Sequence, residues 1–190
     1  MNKFWLRLKF SFFSLIQFAL INKLTILIAA ISLVVDITSK FLARTFLNYA
    51  QPVNILGDFL RFTLVFNRGI SFGIFNSDQS TLIHTILPFL TIIIILFLFY
   101  SFISLLKEVD IRVIPMLKIG FGFIWGGGLG NLIDRILNGY VTDFIDIGIS
   151  NIWRFYTFNI ADSCITIGTT LIIISIVYSD LKTRKYEESD

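Results

Sequence analysis

Residues 82 to 103 read LIHTILPFLTIIIILFLFYSFI, a run without a single Lys, Arg, Asp or Glu. At a rise of about 1.5 Å per residue such a helix crosses a hydrocarbon core about 30 Å thick, and a helix apolar on every side has no face to turn to water. Three further stretches meet the same requirement: Leu24 to Ala43, Val113 to Arg135 and Ile160 to Tyr178. Over the whole chain of 190 residues, 55% are hydrophobic and only 15% charged, and the mean hydropathy is +0.80. That composition excludes a water-soluble monomer. The expected fold is an all-α integral membrane protein of four transmembrane helices.

An even number of spans puts both termini on one side. Lys3, Arg7, Lys9 and Lys23 precede the first span, Lys107, Arg112 and Lys118 flank the loop between the second and third, and Lys182, Arg184 and Lys185 close the chain. This bias marks their side as cytoplasmic. Segments 44 to 81 and 136 to 159 then face outward, although Arg44, Arg61, Arg68 and Arg154 lie there. Short aromatic and β-branched runs such as RFTLVF, set among Pro52, Gly57, Gly69 and Gly73, predict a small β-containing extracytoplasmic subdomain. Residues 4 to 21 are apolar but broken by Arg7, Ser11, Ser14 and Gln17 at helical spacing, which reads as an N-terminal amphipathic segment at the membrane surface; a fifth span is the competing reading.

The basic excess of +3 comes without a basic run or stacking platform, so nucleic acid is not an expected partner. A single Cys164 forms no internal disulfide, and with His84 as the one histidine no recognisable metal site is expected. GGGLG at 126 to 130 lacks the Lys and Ser or Thr of a phosphate-binding loop. With Gly122, Gly126 and Gly130 at every fourth residue, and Asp134 next in the series, it reads instead as a small-residue stripe for close helix packing. Pro115 falls in the first turn of the third span, where a missing N–H costs least.

Ionisable groups inside spans cost several kcal/mol and call for a partner, a wet cleft or a function. Asp36 and Lys40 in the first span, Asn131, Asp134 and Arg135 at the end of the third, and Asp162 at the start of the fourth share one depth near the outer surface. Taken singly they have plainer readings. Asp36 and Lys40, four residues apart, can form a self-contained ion pair. Asp134 and Arg135 read as a structural charge network, and Asp162 or Asn159 can cap a helix. In GYVTDFIDIG an extended backbone puts Val141, Asp143 and Ile145 on one face, an odd place for an acid, while Asp146 on the other face reads as a solvated loop residue. Cys164 lacks a basic partner that would activate a thiol, and His84 reads as an interfacial residue.

Together the segments VDITSK, FNRGISFGIF, GGGLGNLIDR with VTDF, and FNIADS, in this order and at these span positions, resemble the lipoprotein signal peptidase family, signal peptidase II. The likeness covers about residues 24 to 180. It implies a bacterial aspartic endopeptidase of the inner membrane that removes the signal peptide of a prolipoprotein by cutting before a cysteine carrying diacylglycerol. The catalytic aspartates it implies are Asp143 and Asp162, and it is the resemblance that selects Asp143 over Asp134 and Asp146. Asp36, Lys40, Asn67, Gly69, Asn131, Asp134, Arg135, Asn159 and Ala161 match family positions and are implied as substrate-binding or structural supports. Ile37 and Ser71 depart from the family pattern without touching the implied pair.

Two adjacent carboxylates that share a proton can activate water with no metal or other cofactor and no acyl-enzyme. The expected partners are the lipidated prolipoprotein and membrane lipids, with no nucleic acid and a monomeric chain. The expected organisation is an extension at 1–23, a peptidase domain at 24–180 and a cytoplasmic tail at 181–190, with the active site near the outer leaflet. A transporter subunit or assembly factor would use the same acids as an ion path, but the broken spans or paired repeats of that class are missing. So is the GxGD motif of presenilin-like proteases.

Overall fold

The computed structural model describes residues 20–69, 81–150 and 152–187, with side chains described outside 81–85 and 185–187. Residues 1–19 of the N-terminal segment expected to be amphipathic, the side chain of His84, and Ser71 and Gly73 lie outside what is described.

Four long helices carry the apolar runs: α1 (Lys23–Phe46), α2 (Thr81–Glu108), α3 (Ile114–Asn138) and α4 (Ile160–Glu187). Each is long and apolar enough to cross a membrane. Among them α3 is central, with half of its span buried, whereas α2 is lipid-like on nearly every side and exposes Phe89, Ile93, Leu96, Phe97 and Tyr100. One face of α2 anchors it: Phe102 packs with Leu117 and Phe121, and meets Trp125 edge-on with ring centroids 5.1 Å apart. Pro115 sits in the first turn of α3, and Gly139 ends that helix with φ 75°, a left-handed conformation that only glycine adopts freely.

The glycines of α3 set how close its neighbours come. A Cβ on Gly126 would lie 2.6 Å from the Ala29 carbonyl oxygen, one on Gly122 would lie 2.8 Å from that of Thr25, and one on Gly130 would overlap the Asp36 carboxylate. That face belongs to α1. Gly120 and Gly127 do the same for α4, against the carbonyls of Gly168 and Ala161. Small residues thus let both helices approach α3 at backbone contact.

Between the spans the chain forms a four-stranded antiparallel sheet in the order β1 (Val53–Leu56), β2 (Leu60–Asn67), β3 (Val141–Ile149), β4 (Trp153–Arg154). Its central pair places Val65 opposite Asp143 and Asn67 opposite Val141. Leu64 and Phe144 pack with Ala43 of α1, joined by Leu47, Phe62 and Ile160, so the sheet rests where α1 ends and α4 begins. Two segments far apart in sequence therefore make one subdomain.

Candidate active site

Asp143 projects from β3 and Asp162 from the first turn of α4, and both line one cavity of about 520 Å³ with Asn67, Phe155, Tyr156 and Phe158. Asp143 is 2% exposed, and its two oxygens accept from different amides: Oδ1 from Asn159 Nδ2 at 2.7 Å and Oδ2 from Asn67 Nδ2 at 3.0 Å. Burial, with the negative charge of Asp162 second, raises its pKa to about 7, against the opposing pull of those amide bonds.

Asn159 and Asp162 form a reciprocal helix start. Asn159 Oδ1 accepts from the Asp162 N–H at 2.9 Å, and Asp162 Oδ2 accepts from the Asn159 N–H at 3.2 Å. Capping and facing the cavity are thus compatible for Asp162, because its other oxygen accepts from Asn131 Nδ2 at 2.9 Å. Asn159 Nδ2 spends its two hydrogens on Asp143 and, at 3.1 Å, on Asn131 Oδ1. One buried amide therefore touches the supports of both acids.

Behind these amides lies a charged cluster. Lys40 Nζ is 2.8 Å from Asp36 Oδ2, 2.8 Å from Asn131 Oδ1 and 3.9 Å from Asp134 Oδ2. Asp36 Oδ1 accepts from the Ala161 N–H at 2.8 Å, next to Asp162 in the chain. The Asp36–Lys40 pair is thus not self-contained: it ties α1 to α3 and α4. A fully buried pair needs such extra bonds to offset its desolvation.

One sequence expectation is refined and one corrected. Asp134 does lie in a charge network, but its direct ion-pair partner is Arg44 at 2.8 Å, and it accepts from the Thr142 N–H at the start of β3 at 2.7 Å, while Arg135 interacts with Asp134 only through charge, along with Asp162 and Asp143. Arg135 reaches the Gly69 carbonyl at 3.4 Å, and Gly69 in turn donates to Asn67 Oδ1. Asp146, expected as a solvated loop residue, is buried within β3, because Arg154 at 2.7 Å and Thr63 at 3.0 Å close over it.

Arg44 and the 155–158 wall of the cavity are the residues that sequence reasoning missed. Arg44 had a signal, since it follows Asp36 and Lys40 at the next four-residue step of α1. The wall had none beyond its aromatic content. Among the described residues no group of three or more His, Cys, Asp or Glu could hold a metal ion. Chemically the arrangement offers two carboxyl groups of unequal burial at the edge of an apolar cavity.

Comparison with known proteins places this geometry in context. The family model described as signal peptidase (SPase) II matches residues 28–178. A lipoprotein signal peptidase of Acinetobacter baumannii is 37% identical over 176 residues, 93% of this chain and 94% of that one. One of Francisella tularensis subsp. novicida is 34% identical over 83% of this chain and 93% of its own. A solved bacterial membrane enzyme is similar with a TM-score of 0.65 at 35% identity, covering 80% of this chain and 91% of the other.

Proposed function

The chain belongs to the signal peptidase II family, and from that premise we propose that it removes signal peptides from diacylglyceryl-modified prolipoproteins, cutting before the lipidated cysteine with Asp143 and Asp162 as a water-activating pair. It is a protease of a multi-pass bacterial inner-membrane kind. The single observation that supports the pair is that Asp143 and Asp162, 19 positions apart on different elements, face one cavity and are joined by the amides of Asn159 and Asn131.

In this reading one proton serves the pair: Asp143, whose pKa burial raises to about 7, acts as the proton donor, and Asp162 acts as the base. A water between them attacks the scissile carbonyl carbon: Asp162 takes its proton while Asp143 gives its own to the carbonyl oxygen. The tetrahedral diol then collapses as Asp162 returns a proton to the leaving amine and Asp143 recovers one from a hydroxyl. No acyl-enzyme forms. Residues 24–180 make the peptidase domain, Asn67, Asn131 and Asn159 orient the acids, and Asp36, Lys40, Asp134, Arg135, Gly69 and Ala161 support them. Both termini lie in the cytoplasm, and the cavity lies at the outer leaflet, where a precursor can leave its acyl chains in hydrocarbon. The chain acts as a monomer.

The test is cleavage of a lipidated prolipoprotein by purified protein in detergent. Asp143→Asn and Asp162→Asn each abolish turnover while insertion and folded yield hold, and the double variant is scarcely worse than either. If Asp162 served only as a cap, Asp162→Asn would keep activity, because Asn caps as well as Asp. An unlipidated precursor is cut poorly; equal kcat/KM for both forms would remove lipid recognition.

A further inference from the structure

Asp146 stands on β3 three residues beyond Asp143, is buried, and has no part in the chemistry above. Its partner Arg154 holds it with more than one bond. Arg154 Nε meets Asp146 Oδ1 at 2.7 Å and Nη2 meets the Asp146 carbonyl at 3.3 Å, while Nη1 reaches the carbonyls of Asp58 at 3.1 Å and Ser150 at 3.4 Å. A planar guanidinium thus ties strand β3 at Asp146 to the turns at Asp58 and Ser150 at once, which a point charge cannot do. Gly148 makes room for this, since a Cβ there would lie 2.8 Å from Arg154 Cγ and 2.6 Å from the Trp153 carbonyl oxygen.

What Arg154 holds is the root of the cavity wall. From it the chain runs back along β3: the Phe155 N–H donates to Ile147 O at 2.8 Å, and the Phe158 carbonyl accepts from the N–H groups of Phe144 and Ile145 at 3.0 and 2.8 Å. Between these ties Phe155, Tyr156, Thr157 and Phe158 line the cavity opposite the first turns of α4. The far end of the wall is fixed beside Asp143, and its near end by the Arg154 clamp.

We propose that the Asp146–Arg154 pair is a positioning device that holds the Phe155–Phe158 wall as the binding surface for an extended, apolar stretch of the precursor, setting substrate affinity without entering proton transfer. This rests on the reading of the cavity as the cleavage site. Loosening the wall then costs binding, while Asp143 and Asp162 keep their own amide supports.

The experiment measures kcat and KM for a lipidated precursor and, separately, equilibrium binding of a fluorescent lipidated precursor peptide in detergent. Arg154→Ala raises KM and Kd by about tenfold with kcat within about twofold of wild type. Arg154→Lys recovers part of the loss through its charge, Asp146→Asn moves KM in the same direction, and Tyr156→Ala, which leaves the clamp intact, raises KM as well. A fall in kcat at unchanged KM, or no change in either, overturns the proposal. Should Arg154→Ala fail to fold, Asp146→Asn and Tyr156→Ala decide it alone: unchanged Kd in both overturns it. The binding readout is independent of turnover, so failure of wild type to cleave would remove the dyad reading while the Kd values still judge the wall.

Discussion

Lys40 donates to Asn131 Oδ1 at 2.8 Å, and because an ammonium has no lone pair to offer, that bond turns the Asn131 amide nitrogen toward Asp162. A buried cation on α1, together with the Asn159 amide that donates to the same oxygen at 3.1 Å, thereby decides which end of an amide on α3 faces an acid on α4. The consequence is that charge and geometry can be separated by mutation.

Lys40→Met keeps the bulk of the side chain but leaves Asp36 buried without its cation, at a cost of about 3–5 kcal/mol, and both folded yield and cleavage fall. Adding Asp36→Asn removes the orphan charge. The double variant recovers most of the thermal stability but little of the turnover, because Asn131 Oδ1 is then held by Asn159 Nδ2 alone, the longer of its two bonds at 3.1 Å. Full recovery of turnover in the double variant would show that Lys40 serves folding alone.

The three glycines at 126, 127 and 128 have different neighbours despite adjacent positions. Gly127→Ala drives a methyl into the Ala161 carbonyl, in the turn that carries Asp162, and lowers both melting temperature and kcat. Gly128→Ala meets nothing closer than Ile95 Cγ1 at 3.7 Å, so it keeps activity and gains up to about 1 kcal/mol from helix propensity. Thermal unfolding in detergent with parallel cleavage assays checks both; equal effects would mean that helix contact is not what these glycines serve.

Much of this is legible in the sequence. The spans were readable because a helix that crosses lipid must be long and apolar, and the shared depth of Asp36, Lys40, Asn131, Asp134 and Asp162 followed from counting along those spans. Partner choice was not. Asp134 adjoins Arg135 in sequence yet pairs with Arg44, since successive residues on a helix point about 100° apart and the facing helix supplies the cation. Asp146 looked solvated because alternation along one strand cannot reveal that Arg154 folds back over its outer face. Nor could spacing select Asp143: its partner amides, Asn67 and Asn159, come from β2 and from the residue before α4, joined only by long-range pairing.

Sidedness is testable with thiols, as the native Cys164 is buried. Gln51→Cys, before β1, is modified by an impermeant reagent in intact cells, whereas Lys107→Cys, at the end of α2, reacts only after the inner face is opened. The reverse pattern would invert the topology and move the cavity to the cytoplasmic side.

The last prediction concerns pH. Asp143 is held at about 7, above the ordinary carboxyl value of 3.8, by burial and by Asp162. Between those values the folded chain keeps a proton on this group that the unfolded chain has released, so the contribution of Asp143 to stability declines as pH rises from about 4 to about 7, and above that the cost of its buried charge is fully felt. Asp143→Asn carries no charge to bury. The variant therefore melts above wild type near pH 8, and the gap narrows as pH falls, closing only near pH 4, where Asp143 is neutral in the unfolded chain as well. Activity follows the same proton: wild-type kcat/KM falls as pH rises through about 7, because the pair then has none to give to the carbonyl oxygen. Asp162→Asn removes the neighbouring negative charge, so the stability change attributed to Asp143 moves to lower pH. Melting temperatures of the three proteins across this range read all of these effects without a substrate. A constant gap between Asp143→Asn and wild type from pH 5 to pH 8 would show that Asp143 titrates like an ordinary carboxyl and would remove the shared proton from the mechanism.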